Sequence, residues 1–236
     1  MTAEILLGAA PQYNVLTVGE ERTRVLIIDG LLDDVNPVYE RARAKGNFAP
    51  EAGSYYPGVR AKLPRDYGMI LTSFADNCIR QQYTLEDELN ATPCAAFYSI
   101  VTTPEDRLSP LQRIPHFDRH ERHVYAVMHY LSPGEFGGTG FFRHKATGFE
   151  RVGVDRREPY LSAVTDFFAE HGEPPAAYIG ATTGQYELIG SVDYKPNRLL
   201  IYPGNLLHSG LIRPATDIYA GQGVARLTAN VIINYL

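Results

Sequence analysis

Apolar and polar residues change their rhythm along this chain, and the change falls near Thr92. The run Thr23-Arg-Val-Leu-Ile-Ile-Asp-Gly-Leu-Leu32 reads as a strand. Asp33-Asp34 before Val35-Asn36-Pro37 then offers caps for a helix carrying Val38 to Ala44. Residues Ala49 to Arg65, rich in Gly, Pro and Tyr, read as an ordered loop. From Tyr67 to Leu85, Met69, Ile70, Phe74, Cys78 and Ile79 recur at helical spacing and predict a second helix in a supporting layer.

Beyond Thr92, short β-rich runs alternate with turn residues, the pattern of a sandwich or barrel. Strands are predicted at Cys94–Val101, Val124–Leu131, Thr139–Arg143, Arg198–Tyr202 and Leu227–Tyr235. One helical pattern interrupts them, from Pro159 to Glu170, and His171-Gly172 before Pro174-Pro175 ends it. The expected fold class is therefore mostly β, of the α+β kind. One domain, 1–236, is expected, with 1–93 supplying a strand and supporting helices, 94–236 the β core, and about 159–171 a helical insertion. Neither an internal repeat nor a Gly/Ser linker asks for more.

Composition narrows the partners. In 236 residues, 44% hydrophobic and 21% charged side chains are enough for a packed core, and 21 Gly with 16 Pro suit many turns. A formal net charge of −5 gives no broad attraction for phosphate backbones, so nucleic acid is not an expected partner. Cys78 and Cys94 form no C-x-x-C pair, and both are expected reduced and buried. The opening Met1-Thr-Ala-Glu-Ile-Leu-Leu-Gly8 lacks a basic start and a sustained apolar run, and no later stretch approaches the ~20 apolar residues of a membrane span. A soluble cytoplasmic protein with no membrane partner is the expectation, and a homodimer is left open.

The chemistry gathers around three residues. His116-Phe117-Asp118 puts an imidazole and a carboxylate at positions i and i+2, which share a face in extended backbone. Far downstream, Arg198-Leu-Leu-Ile-Tyr-Pro-Gly-Asn-Leu-Leu-His208 is an apolar strand, a Pro-Gly turn and a third candidate ligand. Two histidines and one carboxylate suit non-haem Fe(II) with coordination positions left open, and zinc accepts the same atoms. Among seven histidines there are decoys. His171-Gly-Glu173 sits at a helix end where the backbone is not extended, and His120 with His123 lies among Arg119, Glu121 and Arg122, as solvated residues do.

The surroundings of these residues resemble the prolyl-hydroxylase-like branch of the Fe(II)/2-oxoglutarate oxygenases, over roughly residues 94 to 236. The resemblance lies in Pro115-His-Phe-Asp118, in Tyr130-Leu-Ser-Pro-Gly-Glu-Phe-Gly-Gly-Thr-Gly-Phe-Phe142, in Leu199 to His208 and in Arg226-Leu-Thr228, in that order. Val25 to Leu32 and Tyr56-Pro-Gly-Val-Arg60 look like the N-terminal part of such enzymes. The resemblance implies a double-stranded β-helix, a jelly roll or cupin-like barrel, with N-terminal helices packed on one side. It implies Fe(II) held by His116, Asp118 and His208, with 2-oxoglutarate as cosubstrate. Arg226 would pair with the cosubstrate's far carboxylate, with Thr228 on the same strand face and Asn230 and His129 nearby. His129 stands where the family often has tyrosine, so core packing is an equal reading for it.

The distance from His208 to Arg226 exceeds the family's usual gap, and Arg213 lies closer to the histidine. Arg226, Thr228 and Asn230 alternate onto one face of a strand, whereas Arg213 beside Pro214 reads as a loop charge. The implied reaction is hydroxylation of a small molecule, amino acid or peptide side chain, with release of succinate and CO2, because the family's halogenases lack the ligand that Asp118 supplies. A non-catalytic cupin-like metal-binding protein, a metal-dependent hydrolase and a metal-free structural jelly roll compete with it. Tyr55 to Arg60 and Arg143 to Arg157 are candidate pocket walls and Tyr178 to Tyr186 a candidate lid, against the plainer reading of each as surface.

Overall fold

A computed structural model describes residues 5–236, so Met1 to Glu4 of the opening segment lie outside the described residues. The first part of the chain forms β1 (Gln12–Val18), β2 (Thr23–Asp29), helix α1 (Asn36–Lys45), β3 (Gly58–Lys62), helix α2 (Arg65–Gln82) and β4 (Ala91–Val101). The middle holds β5 (Val124–Tyr130), β6 (Thr139–His144) and helix α3 (Arg157–His171). The last part forms β7 (Tyr186–Val192), β8 (Arg198–Pro203), β9 (His208–Gly210), one helical turn α4 (Pro214–Asp217) and β10 (Leu227–Tyr235). Seven strands make an antiparallel sheet in the order β1-β2-β8-β5-β10-β4-β3, and a smaller antiparallel sheet runs β7-β6-β9.

Side chains alternate across a strand, and here both faces of the large sheet are used. Leu26 and Ile28 of β2, Leu199 and Ile201 of β8, Val127 of β5 and Val231 and Ile233 of β10 face one way. They pack with Val38, Tyr39 and Ala42 of α1 and Tyr67, Leu71 and Ala75 of α2. The intervening residues Val25, Leu200, Tyr202, Ala126 and Tyr130 face the other way and pack with Phe141 of β6 and Val192 of β7. Both sides of the central strands are thus apolar, which is why Leu199-Leu-Ile201 reads as an unbroken hydrophobic run. Each fully buried Leu or Ile contributes roughly 1.5–3 kcal/mol.

The six strands read from the pattern, the Thr23–Leu32 run included, are all present, lengthened or shortened by a few residues. β1, β3, β7 and β9 are additional. β3 lies inside the stretch read as a loop; it is a five-residue edge strand whose extended form rests on pairing with β4 and on the Ala49–Arg60 bridge. α2 buries Tyr67, Leu71, Ala75, Cys78 and Ile79, while Met69 is 58% exposed, so the helix is turned from the stripe its apolar residues suggest. Cys78 is buried as expected, but Cys94 is exposed, at the irregularity where the register of β4 with β10 passes from Ala95 to Pro93. Among the described residues no helix is long and apolar enough to cross a membrane.

Buried polar groups pin the layers. Glu150, fully buried, accepts the N–H groups of Glu20 and Glu21 at 2.9 and 3.0 Å and bonds from Arg143 Nε and Nη2, tying the β1–β2 turn to the smaller sheet. On the helix side, Tyr67 Oη donates to His129 Nδ1 at 2.6 Å and His129 Nε2 donates to Asn197 Oδ1 at 3.1 Å. This tautomer follows from Asn197 Oδ1, an acceptor that also receives the Leu32 N–H. Burial holds the His129 pKa down at about 4, against the pull of Asn197.

A neutral His129 makes stability depend on pH. The unfolded chain takes up the proton at ordinary histidine pKa, so the stabilisation is complete above about pH 6.5 and is lost as pH falls toward 4. Urea unfolding at pH 7 and pH 5 should show a loss of which His129 contributes on the order of 1–2 kcal/mol. His129→Gln should be less stable at pH 7 and should lose that share of the pH dependence. An unchanged pH dependence in the variant would show that His129 is not the titrating group.

Candidate metal centre

His116 and Asp118 lie in the connection between a short 3-10 turn (Pro110–Arg113) and β5, at one end of the space between the sheets. The strand expected there is reduced to a single bridge. The His116 N–H donates to His208 O at 2.9 Å and the His208 N–H donates to His116 O at 2.8 Å. Two residues on, the Asp118 N–H donates to Gly204 O at 2.8 Å, which anchors the acid to the Pro-Gly turn after β8. Ligands from distant parts of the chain are thereby placed by backbone bonds.

The three side chains converge. One donor atom from each of His116, Asp118 and His208 lies within 4.8 Å of the others, and His208 Nε2 is 3.7 Å from Asp118 Oδ2. The His208 Nδ1–H donates to Leu206 O at 2.8 Å, which leaves the Nε2 lone pair for a metal. Tyr202 packs edge-on against the His208 ring at a centroid distance of 4.9 Å and supports it. His116 is solvent-exposed as a residue, yet the protein crowded around its ring, then His208 and Arg60, hold its pKa well below the ordinary value. The neutral imidazole is the form that ligates a metal.

A cavity of about 500 Å³ opens beside this cluster and is lined by all three residues. Arg226, just before β10, and Thr228 and Asn230 on it line the same cavity. Asn230 Nδ2 donates to Thr228 Oγ1 at 2.9 Å and to Ser99 Oγ at 3.0 Å. Arg226 is 4% exposed; its Nε donates to Gly137 O at 2.8 Å and its Nη2 to Gly138 O at 3.3 Å. Nη1 has no hydrogen-bond partner among the described residues. Gly137 has to be glycine, because a Cβ there would meet Leu211 O at 1.7 Å.

Of the metal and cosubstrate residues proposed from sequence, His129 alone is not brought to this cavity. Met128 and Tyr130 point between the sheets, so alternation sends His129 to the helix side, where packing with Tyr67 is its role. Arg213 does not line the cavity; it pairs with Asp217 at 3.8 Å. The segment between β9 and β10, read as an extended loop, holds the turn α4 and a buried acid that sequence reasoning missed. Asp217 Oδ2 accepts the Gly137 and Arg213 N–H groups and lies 3.9 Å from Arg226 Nε. The long gap before Arg226 thus supplies its counter-ion.

Tyr56, Arg60 and Tyr178 wall the cavity, whereas Arg143 is held by Glu150 outside it. Tyr178 is buried, its hydroxyl donating to Thr103 O at 2.7 Å, and Tyr186 is a core residue bonded to Tyr160, while the residues 180–184 between them are exposed and do not line the cavity.

The family model for a family of unknown function, DUF6445, matches residues 9–233. The chain belongs to that family. No curated protein matches it. Among solved structures, it is similar to AviO1 from Streptomyces viridochromogenes Tue57, with 11% identity, 84% of this chain and 80% of that one covered and a TM-score of 0.36. It is also similar to EvdMO1, with 11% identity, 97% and 55% coverage and a TM-score of 0.38.

Equilibrium dialysis against Mn(II) or Zn(II) should load one ion per chain. His116→Ala, Asp118→Ala and His208→Ala should each weaken binding by at least the 10–100-fold that loss of a mere supporting partner costs. At a hundredfold excess over Kd the ion should stabilise the fold by about 2.7 kcal/mol. Undiminished binding in these variants would place the ion elsewhere.

Proposed function

We propose that the protein is a non-haem Fe(II)- and 2-oxoglutarate-dependent oxygenase, and that its two facing sheets are a form of the double-stranded β-helix. The observation that carries this reading is the presence, in one cavity, of a two-histidine, one-carboxylate cluster and a buried guanidinium with an unpartnered nitrogen. The donor set suits Fe(II), because two imidazoles and one carboxylate leave positions free for other ligands. Arg226 suits the distal carboxylate of 2-oxoglutarate, since a guanidinium binds carboxylate through charge-assisted bonds.

A further group supports the fit. Tyr56 Oη is buried and, among the described residues, has no neighbour in hydrogen-bonding geometry, Ser99 lying close by. Burial pushes its pKa up to about 12, with the Arg226 charge drawing it back, so the phenol stays protonated and can donate to an anion. An unsatisfied buried hydroxyl costs about 1–3 kcal/mol, and a bound carboxylate would offset this.

When bound, Fe(II), 2-oxoglutarate and dioxygen together supply the oxidising power to hydroxylate a C–H bond, 2-oxoglutarate leaving as succinate and CO2. The chain's own part is to position and to shield. His116, Asp118 and His208 would hold the metal, with His208 oriented by Leu206 O. Arg226, Tyr56 and Thr228 would hold the cosubstrate by its far end. The aromatic wall of Phe97, Tyr160, Tyr178 and Tyr202 limits water around the reacting atoms.

Two measurements test this. Anaerobic addition of Fe(II) and 2-oxoglutarate should produce a weak visible absorption band, absent with Zn(II). Asp118→Ala should abolish succinate release, and Arg226→Gln should raise the KM for 2-oxoglutarate at least tenfold, with partial recovery in Arg226→Lys. Full succinate release from Asp118→Ala would refute the assignment.

A further inference from the structure

The cavity contains a second cation that the proposed chemistry leaves unused. Arg60 on β3 lines it, and its register partner Ser99 pairs in turn with Thr228, so the three residues form one row across the sheet. With strands ~4.8 Å apart, Arg60 stands about 10 Å from Thr228 along this row. Its guanidinium lies over the Tyr56 ring, with Cζ 4.6 Å from the centroid, and 5.6 Å from that of Phe97. Arg60 shares the cavity lining with His116, Asp118 and His208.

The state of its nitrogens is informative. Nη1 donates to Glu51 Oε2 at 2.7 Å. Nε is buried with no partner, and Nη2 makes no hydrogen bond among the described residues. The Nε–Nη2 edge thus makes no hydrogen bond to the described residues, and such a guanidinium edge can form two parallel bonds with one carboxylate. Aromatic faces beside the guanidinium hold it in place and reduce the entropy lost on binding.

We infer that the substrate of this cavity is an organic monocarboxylate with an apolar body, its carboxylate seated on the Nε–Nη2 edge of Arg60. The inference rests on the oxygenase reading of the same cavity. Glu51 already neutralises one side of Arg60 and would repel a doubly charged phosphate, which favours a single negative charge. The apolar body follows from the mouth, where Tyr55, Leu111 and Leu161 are 66%, 44% and 37% exposed. At about 500 Å³ the cavity is of a size for one small molecule beside the cosubstrate.

The test uses 3-phenylpropionate and its uncharged amide as probes, measured by equilibrium dialysis against the full chain with Zn(II) and saturating 2-oxoglutarate. The carboxylate should bind at least tenfold more tightly than the amide. Arg60→Gln should bring the two within twofold, Arg60→Lys should restore part of the preference, and Arg226→Gln should keep it. Circular dichroism and thermal midpoints identify any variant that fails to fold, in which case Arg60→Lys alone decides by a reduced preference. A preference that is absent from the wild type, survives Arg60→Gln, or disappears only with Arg226→Gln overturns the inference. Succinate release is read separately: its failure with an intact Arg60-dependent preference removes the oxygenase reading, and the converse removes only the carboxylate seat.

Discussion

Two backbone hydrogen bonds between His116 and His208 are the constraint on which the site depends. They join the end of a loop to the short strand β9 and so bring together residues that are 92 positions apart, 208 − 116. Backbone bonds of this kind do not rely on side-chain rotamers, and they place both imidazoles before any metal arrives. Leu206 O then selects the tautomer of one ring, and Gly204 O secures the chain beneath the acid. The cost of ordering three ligands is met by folding, so a metal would bind to a prepared cluster.

The large sheet determines what each side of the molecule does. Its period of two sends one set of side chains to the helices and the other to the space between the sheets, and a slip by one residue would exchange the two sets. Arg226 shows the electrostatic side of this arrangement. A guanidinium 4% exposed would be costly alone, yet Asp217, two glycine carbonyls and the faces of Tyr130 and Tyr194 surround it. The partners occupy one side and leave Nη1 without a bond, so the charge is both tolerated in the interior and able to act. Arg60 repeats the pattern with Glu51 as the partner and an edge that makes no hydrogen bond to the described residues.

Much was legible in the residue pattern. The central strands and the three longer helices follow from continuous apolar runs, helical spacing and turn residues, because local physics is sufficient where burial is extensive on both faces. His116, Asp118 and His208 could be proposed because the i, i+2 spacing and the strand-turn-histidine run are local features. Edge strands β1 and β3 were not legible, since β1 is exposed along most of its length, β3 is only five residues long, and both gain their form from a neighbour's hydrogen bonds. Asp217 was hidden too, because an acid in a Pro- and Gly-containing loop gives no sign that it will be buried.

The sequence by itself determined the types of chemistry available: a two-imidazole, one-acid ligand set, a basic residue on the last strand, and an apolar content that demands a layered β core. Only the tertiary structure decided which groups meet. It turned His129 away from the cavity, gave Arg226 rather than Arg213 a place on its wall, and set Tyr56 and Arg60 beside the cluster. The reason is physical: residue type is local, whereas proximity depends on register and on which face of a strand lands inside.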